Sequence, residues 1–196
     1  MQEHRTPQKN LRLELLDEEQ RRRVYIEHMK EDFPPAELKS LEEIEQGITE
    51  GCYRILGLMD QNEVIGYVCL VETKDACLID YLAVIPERRN SGAGSEMLRL
   101  LEKRLQDREY VIVEVERPSL GENEDEVILR RRRMDFYLRS GILDTGIDVR
   151  CFGEGFRILE AKRNETHRRS DIIQRYRDLY QCTLPVALYG DYIQTE

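Results

Sequence analysis

Between residues 76 and 108 the spacing of apolar side chains switches from a period of two to a period of about 3.6, across a pair of glycines. Ala76 to Val84 reads as a strand that Pro86 ends. From Gly92 onward Met97, Leu98, Leu101 and Leu105 fall on one helical face, up to about Arg108. The connection runs Leu82-Ala83-Val84-Ile85-Pro86-Glu87-Arg88-Arg89-Asn90-Ser91-Gly92-Ala93-Gly94-Ser95. Strands and helices alternate in mixed order on either side of this turn. Such mixed order argues for an α/β or α+β sheet with helices on its faces. Two glycines one residue apart let backbone approach a ligand with no Cβ in the way. The unpaired amides of a helix start, aided by the helix dipole, favour an anion there.

The flanking sequence extends the same pattern. Leu11 to Leu16 alternates as a first strand, and Asp17 to Phe33 reads as a helix broken by Pro34-Pro35. Leu38, Leu41, Ile44 and Ile48 predict a second helix closed by Gly51. Cys52 to Asp60 and Glu63 to Thr73 predict a hairpin turning at Gln61-Asn62. After the central helix, Tyr110 to Val115 alternates as a strand, and Pro118 to Asp125 is an acidic loop. Glu126 to Ser140 is a helix stopped by Gly141. Short strands are expected at Val149 to Phe152 and Phe156 to Ala161, followed by a helix with Ser170 as N-cap. The expected order is β-α-α-β-β-β-α-β-α-β-β with a C-terminal helix. Residues 1–10 are expected to be poorly ordered, and 11–196 to form one domain with a helical extension from about 165.

Composition narrows the partners. The formal charge of −9 opposes binding to a phosphate backbone and is compatible with a cationic substrate such as an amine, so no nucleic acid is expected. No apolar run reaches the ~20 residues of a membrane helix, so no membrane partner is expected. Five cysteines without metal-like spacing, and no signal peptide, point to a reducing cytoplasm. His4, His28 and His167 are scattered, and no metal is expected. An exposed strand edge near the C-terminus is compatible with a homodimer.

A dinucleotide fingerprint would need a third glycine where Met97 stands, and a P-loop would need a Gly-Lys-Ser/Thr that is absent. The pattern Arg89-x-x-Gly92-x-Gly94, after a strand reading Leu-Ala-Val-x-Pro-Glu, instead resembles the acyl-CoA-binding motif of GNAT superfamily N-acetyltransferases. Ile65-Gly66-Tyr67 upstream and Phe136-Tyr137-Leu138-Arg139-Ser140-Gly141-Ile142 downstream agree with that family, with Ile142 in place of its usual final aromatic. The resemblance covers roughly Leu11 to Lys162. It implies a GNAT-like mixed, mostly antiparallel sheet flanked by helices. It also implies acetyl-CoA as co-substrate, with Leu82, Ala83 and Val84 along the pantetheine arm and Arg89, Asn90, Ser91, Gly92, Ala93, Gly94 and Ser95 around the pyrophosphate. Acetyl transfer to a small-molecule or peptide primary amine by direct attack is then the expected reaction. A catalytically silent acyl-CoA-binding or sensing module is the alternative.

Transfer needs a neutral amine, a stabilised oxyanion and a proton for the departing thiolate. Tyr137 matches the position where the family often places its general acid. For the base, Asp80 interrupts an apolar strand on what alternation assigns to the face of Leu82 and Val84. Glu114 and Glu116 share a face with Ile112. An acid in an apolar strand is costly unless solvated or paired, which marks all three. A water chain with no dedicated base also satisfies the chemistry. Arg130 to Arg133 span a helical turn and are expected to pair with the acidic loop Glu122 to Glu126.

Overall fold

The computed structural model describes residues 10–35, 37–151, 153–161, 167–183 and, for the backbone alone, 193–195. Residues 1–9, Phe152 and Lys162 therefore lie outside the described residues.

Eight strands form one sheet in the order β1-β2-β3-β4-β5-β7-β6-β8, and every pairing is antiparallel except β4 with β5. The strands are β1 (Arg12–Leu15), β2 (Tyr53–Asp60), β3 (Glu63–Glu72), β4 (Ala76–Val84), β5 (Tyr110–Glu116), β6 (Ile142–Cys151), β7 (Glu154–Ala161) and β8 (Ile193–Thr195). Helix α1 (Glu18–Val24) runs on through a π-helical turn (Tyr25–Met29) into the short α2 (Lys30–Asp32). The other helices are α3 (Leu41–Thr49), α4 (Ala93–Arg104), α5 (Glu124–Arg139) and α6 (Arg169–Gln181). The mixed, mostly antiparallel sheet flanked by helices is the fold expected from sequence.

Local chemistry explains most boundaries. Asp17 and Ser40 each close a capping box, with Gln20 and Glu43, at the starts of α1 and α3. Asn123 caps α5 by accepting from the Glu126 amide. Both faces of the sheet are apolar, so helices cover both. On one face Ile55, Tyr67, Leu78 and Ile112 pack with residues of α1, α3 and α6. On the other, Leu58, Val68, Ile79 and Val113 pack with α4 and α5.

Three expectations require correction. The last helix starts at Arg169 with Arg168 as N-cap, and Ser170 instead bonds the side chain of its neighbour Asp171. The strand expected from Val149 begins at Ile142. A register shift between Asp144 and Ile147, with Gly146 at φ 69°, breaks the alternation that would reveal its first half. Finally, β4 bulges. Cys69 pairs with Tyr81 and Leu70 with Ile79, so Asp80 is the extra residue. Tyr81 and Ala83 consequently pack with Leu78, while Leu82 and Val84 pack with Ile79. Asp80 therefore does not share a face with Leu82 and Val84, because the bulge resets the two-residue period.

Candidate active site

The parallel pair gives the site its shape. β4 and β5 are hydrogen-bonded only from Ala76–Ile79 to Tyr110–Val113. Beyond that, β4 follows β3 as far as Val84 and β5 follows β7 as far as Glu116. The two strands part, and Asp80 to Val84 face Glu114 to Glu116 across a wedge. The wedge opens into a cleft of about 550 Å³, lined by β4, β5, the Arg88–Ser95 loop, the end of α2 and one face of α5. That volume suits a small ligand or an extended arm.

At the mouth, a single turn of 3₁₀-helix (Pro86–Arg88) leads into the glycine loop. Asn90 (φ 60°) and Gly92 (φ 84°) both take left-handed backbone, and Gly92 is the N-cap of α4. A Cβ added at Gly92 would meet nothing within 4 Å, so the glycine is needed for its conformation. At Gly94 the reason is space, since a Cβ there would lie 3.2 Å from the Phe136 ring of α5. The twelve-residue α4 points its first amides into the cleft mouth, an arrangement suited to a pyrophosphate. Ser91 Oγ donates to the Arg88 carbonyl (2.6 Å) and tightens the turn.

The basic residues divide differently from the sequence expectation. Arg89 bridges two elements: Nε donates to the Val84 carbonyl (3.0 Å) and Nη2 to Asp32 Oδ1 (2.7 Å). Arg88 turns away to Asp60 at 3.3 Å. Of the arginine run, Arg130 alone among the described residues pairs with the acidic loop, through Glu126 at 3.6 Å. Arg132 instead donates to Asn90 Oδ1 in the glycine loop (2.9 Å), and Arg133 pairs with Glu116. Helical spacing carries these two into the cleft wall. The contact of Arg132 with the loop had no signal in the sequence.

The candidate acids stand at the fork. Asp80 presents Oδ1 to Lys39 Nζ (2.7 Å) and accepts the Tyr53 hydroxyl at Oδ2 (2.5 Å), with its side chain only 3% exposed. Burial opposes the Lys39 charge, but the Asp80 carboxylate outweighs it and holds the ammonium well above its ordinary pKa. The same nitrogen lies 5.3 Å from the Tyr81 ring centroid and 5.8 Å from that of Tyr180. Across the fork, Glu114 accepts hydroxyls from Tyr176 (2.6 Å) and Tyr180 on α6. Burial raises the Glu114 pKa. The two tyrosine hydrogen bonds and Lys39 pull it back, while Asp80 adds to the rise.

Tyr137 lies on the α5 side of the cleft, half-buried and edge-on to Phe136, with ring centroids 5.1 Å apart. Its hydroxyl makes no hydrogen bond among the described residues, and burial pushes its pKa above the ordinary phenol range. Sequence reasoning thus named Tyr137, Asp80, Glu114 and the loop, and the structure brings all of them to one cleft. It missed Lys39, Tyr53, Tyr176 and Tyr180, whose partners lie far away along the chain. Among the described residues no group of three His, Cys, Asp or Glu side chains is placed to hold a metal.

A parallel strand pair that parts beside a glycine-rich helix start defines an α/β protein with a candidate anion site at the mouth of an open cleft. Residues 15–122 match the model of the Acetyltransferase (GNAT) family, and the chain belongs to that family. Among solved structures, a Bacteroides thetaiotaomicron protein classed with the GNAT family superposes with a TM-score of 0.68 at 19% identity, over 89% of this chain and 99% of that one. A GNAT family acetyltransferase from Elizabethkingia anophelis with acetyl-CoA bound gives 0.52 at 17% identity, over 79% and 99%. The ribosomal-protein-S18-alanine N-acetyltransferase of Escherichia coli gives 0.58 at 16% identity, over 81% and 98%. No curated protein sequence matches the chain at a significant level.

Proposed function

We propose that this protein transfers an acetyl group from acetyl-CoA to a primary amine, by direct attack while both substrates are bound. One observation carries the reading. The wedge between β4 and β5 opens at one end onto the α4 amides and holds Glu114 and Tyr137 along its walls. Arg89, Asn90, Ser91, Gly92, Ala93, Gly94 and Ser95 would hold the pyrophosphate. Leu82, Ala83 and Val84, which have a ladder partner only on the β3 side, offer backbone groups to the pantetheine amides. The acetyl-CoA-bound relative from Elizabethkingia anophelis supports this choice of donor.

The acids divide the work by environment. Asp80 is neutralised by Lys39 and serves to hold that lysine. Glu114, whose pKa burial raises and whose carboxylate forms no ion pair with a lysine or arginine among the described residues, is the better base and takes a proton from the incoming ammonium, directly or through water. The neutral amine attacks the thioester carbonyl, the tetrahedral adduct expels the CoA thiolate, and the Tyr137 hydroxyl returns a proton to that sulfur. The adduct's nitrogen, cationic after the attack, gives up its extra proton through water to the Tyr137 phenolate, and the proton on Glu114 leaves to solvent, which closes the balance. The acidic charge of the chain favours a cationic small molecule or a peptide amine as acceptor.

The first test is thermal stabilisation by acetyl-CoA, CoA, ATP and NAD. A thiol-release screen of polyamines, amino sugars and short peptides with acetyl-CoA follows. A ligand specific for the folded state adds about 2.7 kcal/mol at a hundredfold excess over its dissociation constant. Stabilisation by CoA species alone, with amine-dependent thiol release lost in Glu114→Gln and Tyr137→Phe, is the expected result. Stabilisation without transfer to any amine would instead favour a silent acyl-CoA-binding module. No CoA response would overturn both.

A further inference from the structure

We propose that α6 is a working part of the site, with Tyr176 and Tyr180 acting as positioning residues that fix Glu114 at the fork. The inference rests on the reading of Glu114 as base. The two tyrosines are four residues apart and so share one face of α6, with ring centroids 4.9 Å apart. Tyr176 donates to Oε2 and Tyr180 to Oε1, which fixes both the position and the plane of the carboxylate. Neighbouring positions on that face carry Ile172 and Leu179, packed in the core. Two phenols and an acid enclosed there are costly unless each satisfies another, so a merely structural helix gains nothing from them over apolar side chains.

The helix itself is held at both ends. Before it, His167 stacks on Tyr110, with centroids 4.1 Å apart, and bonds Glu160 at 2.6 Å. After it, the Cys182 carbonyl accepts from the Cys52 thiol at 3.1 Å. The two tyrosines are thus presented from a fixed frame. The helix also lies beyond the 15–122 stretch that matches the family model. The titratable groups around Glu114 are Tyr176 and Tyr180 from α6, Asp80 from β4, Lys39 from the segment before α3 and Cys151 from β6. Among these, only the tyrosines hydrogen-bond its carboxylate, and each stabilises its charged form.

The test uses the full chain with ¹³C-labelled glutamate, with the Glu114 carboxyl resonance assigned through Glu114→Gln. Its titration midpoint should rise by about one pH unit in Tyr176→Phe and again in Tyr180→Phe, the size expected for losing one hydrogen bond to a charged group. Tyr110→Phe, a tyrosine change in the same core but away from Glu114, should leave it in place. In thiol-release assays with acetyl-CoA and an amine from the screen above, the acidic limb of the rate profile should move up by the same amount. The KM for acetyl-CoA should hold. An unmoved midpoint in both phenylalanine variants would overturn the proposal. A moved midpoint with an unmoved acidic limb would overturn it too, because the limb would then not report the ionisation of Glu114. Transfer that survives Glu114→Gln would overturn the base reading and this inference with it.

Discussion

At the residue scale, the Lys39–Asp80 pair shows how far one contact governs a cleft. Asp80 is nearly inaccessible and Lys39 is largely covered, so neither charge can be satisfied by water if the other is lost. Lys39→Met should therefore destabilise the protein by about 3–5 kcal/mol, the usual result of stranding a buried charge. Lys39→Met combined with Asp80→Asn should recover part of that loss, and urea unfolding of the three proteins measures both effects. The identity of Asp80 as a marked residue was legible in the sequence, because an acid stood inside an apolar strand. Its orientation was not, since β4 is apolar on both faces and so has no polar alternation for the bulge to disturb. Lys39 was equally hidden. It lies in a polar stretch between two helices, and only the fold brings it 41 residues along the chain to its partner.

At the element scale, the glycine loop depends on two glycines for two separate reasons, and substitution can separate them. Gly92→Ala must force a side chain into left-handed backbone with no clash to relieve, a cost of about 1–2 kcal/mol. Gly94→Ala keeps ordinary backbone but presses on the Phe136 ring, and so should shift α5 and Tyr137. Thermal unfolding should register the first as lost stability with weaker acetyl-CoA binding. Transfer rate should register the second. Most elements were readable from periodicity and caps, as the agreement over Ala76–Val84 shows. The exceptions share one cause. The first half of β6, the facing of Asp80 and the inward turn of Arg132 and Arg133 depend on register shifts or on neighbours distant in sequence, and a local pattern contains neither. For the same reason Glu114 was legible as a candidate while its two tyrosine partners, supplied by α6, were not.

At the scale of the whole molecule, buried phenols make the fold sensitive to alkali. Tyr53, Tyr67, Tyr81, Tyr137, Tyr176 and Tyr180 all hold their protons more tightly in the fold than the ordinary value of 10.0 would allow, chiefly through burial. Below that value both folded and unfolded chains keep these protons, and the stability is fully present. Above it the unfolded chain releases them first, so stability falls as pH rises. Lys39 adds to the same trend, since its raised pKa favours the fold until it too deprotonates. Urea midpoints should decline steadily above pH 10.0, with proton release accompanying unfolding. The parting of β4 from β5 has a mechanical side as well. One half of the sheet, β1 to β4, is joined to the other by a seam of four parallel residue pairs. Helix α6 straps that seam by touching β3, β4 and β5. Two stiff plates riveted along so short a line should fail there first under load, and a ligand lodged in the open end would act as a wedge that resists their relative movement.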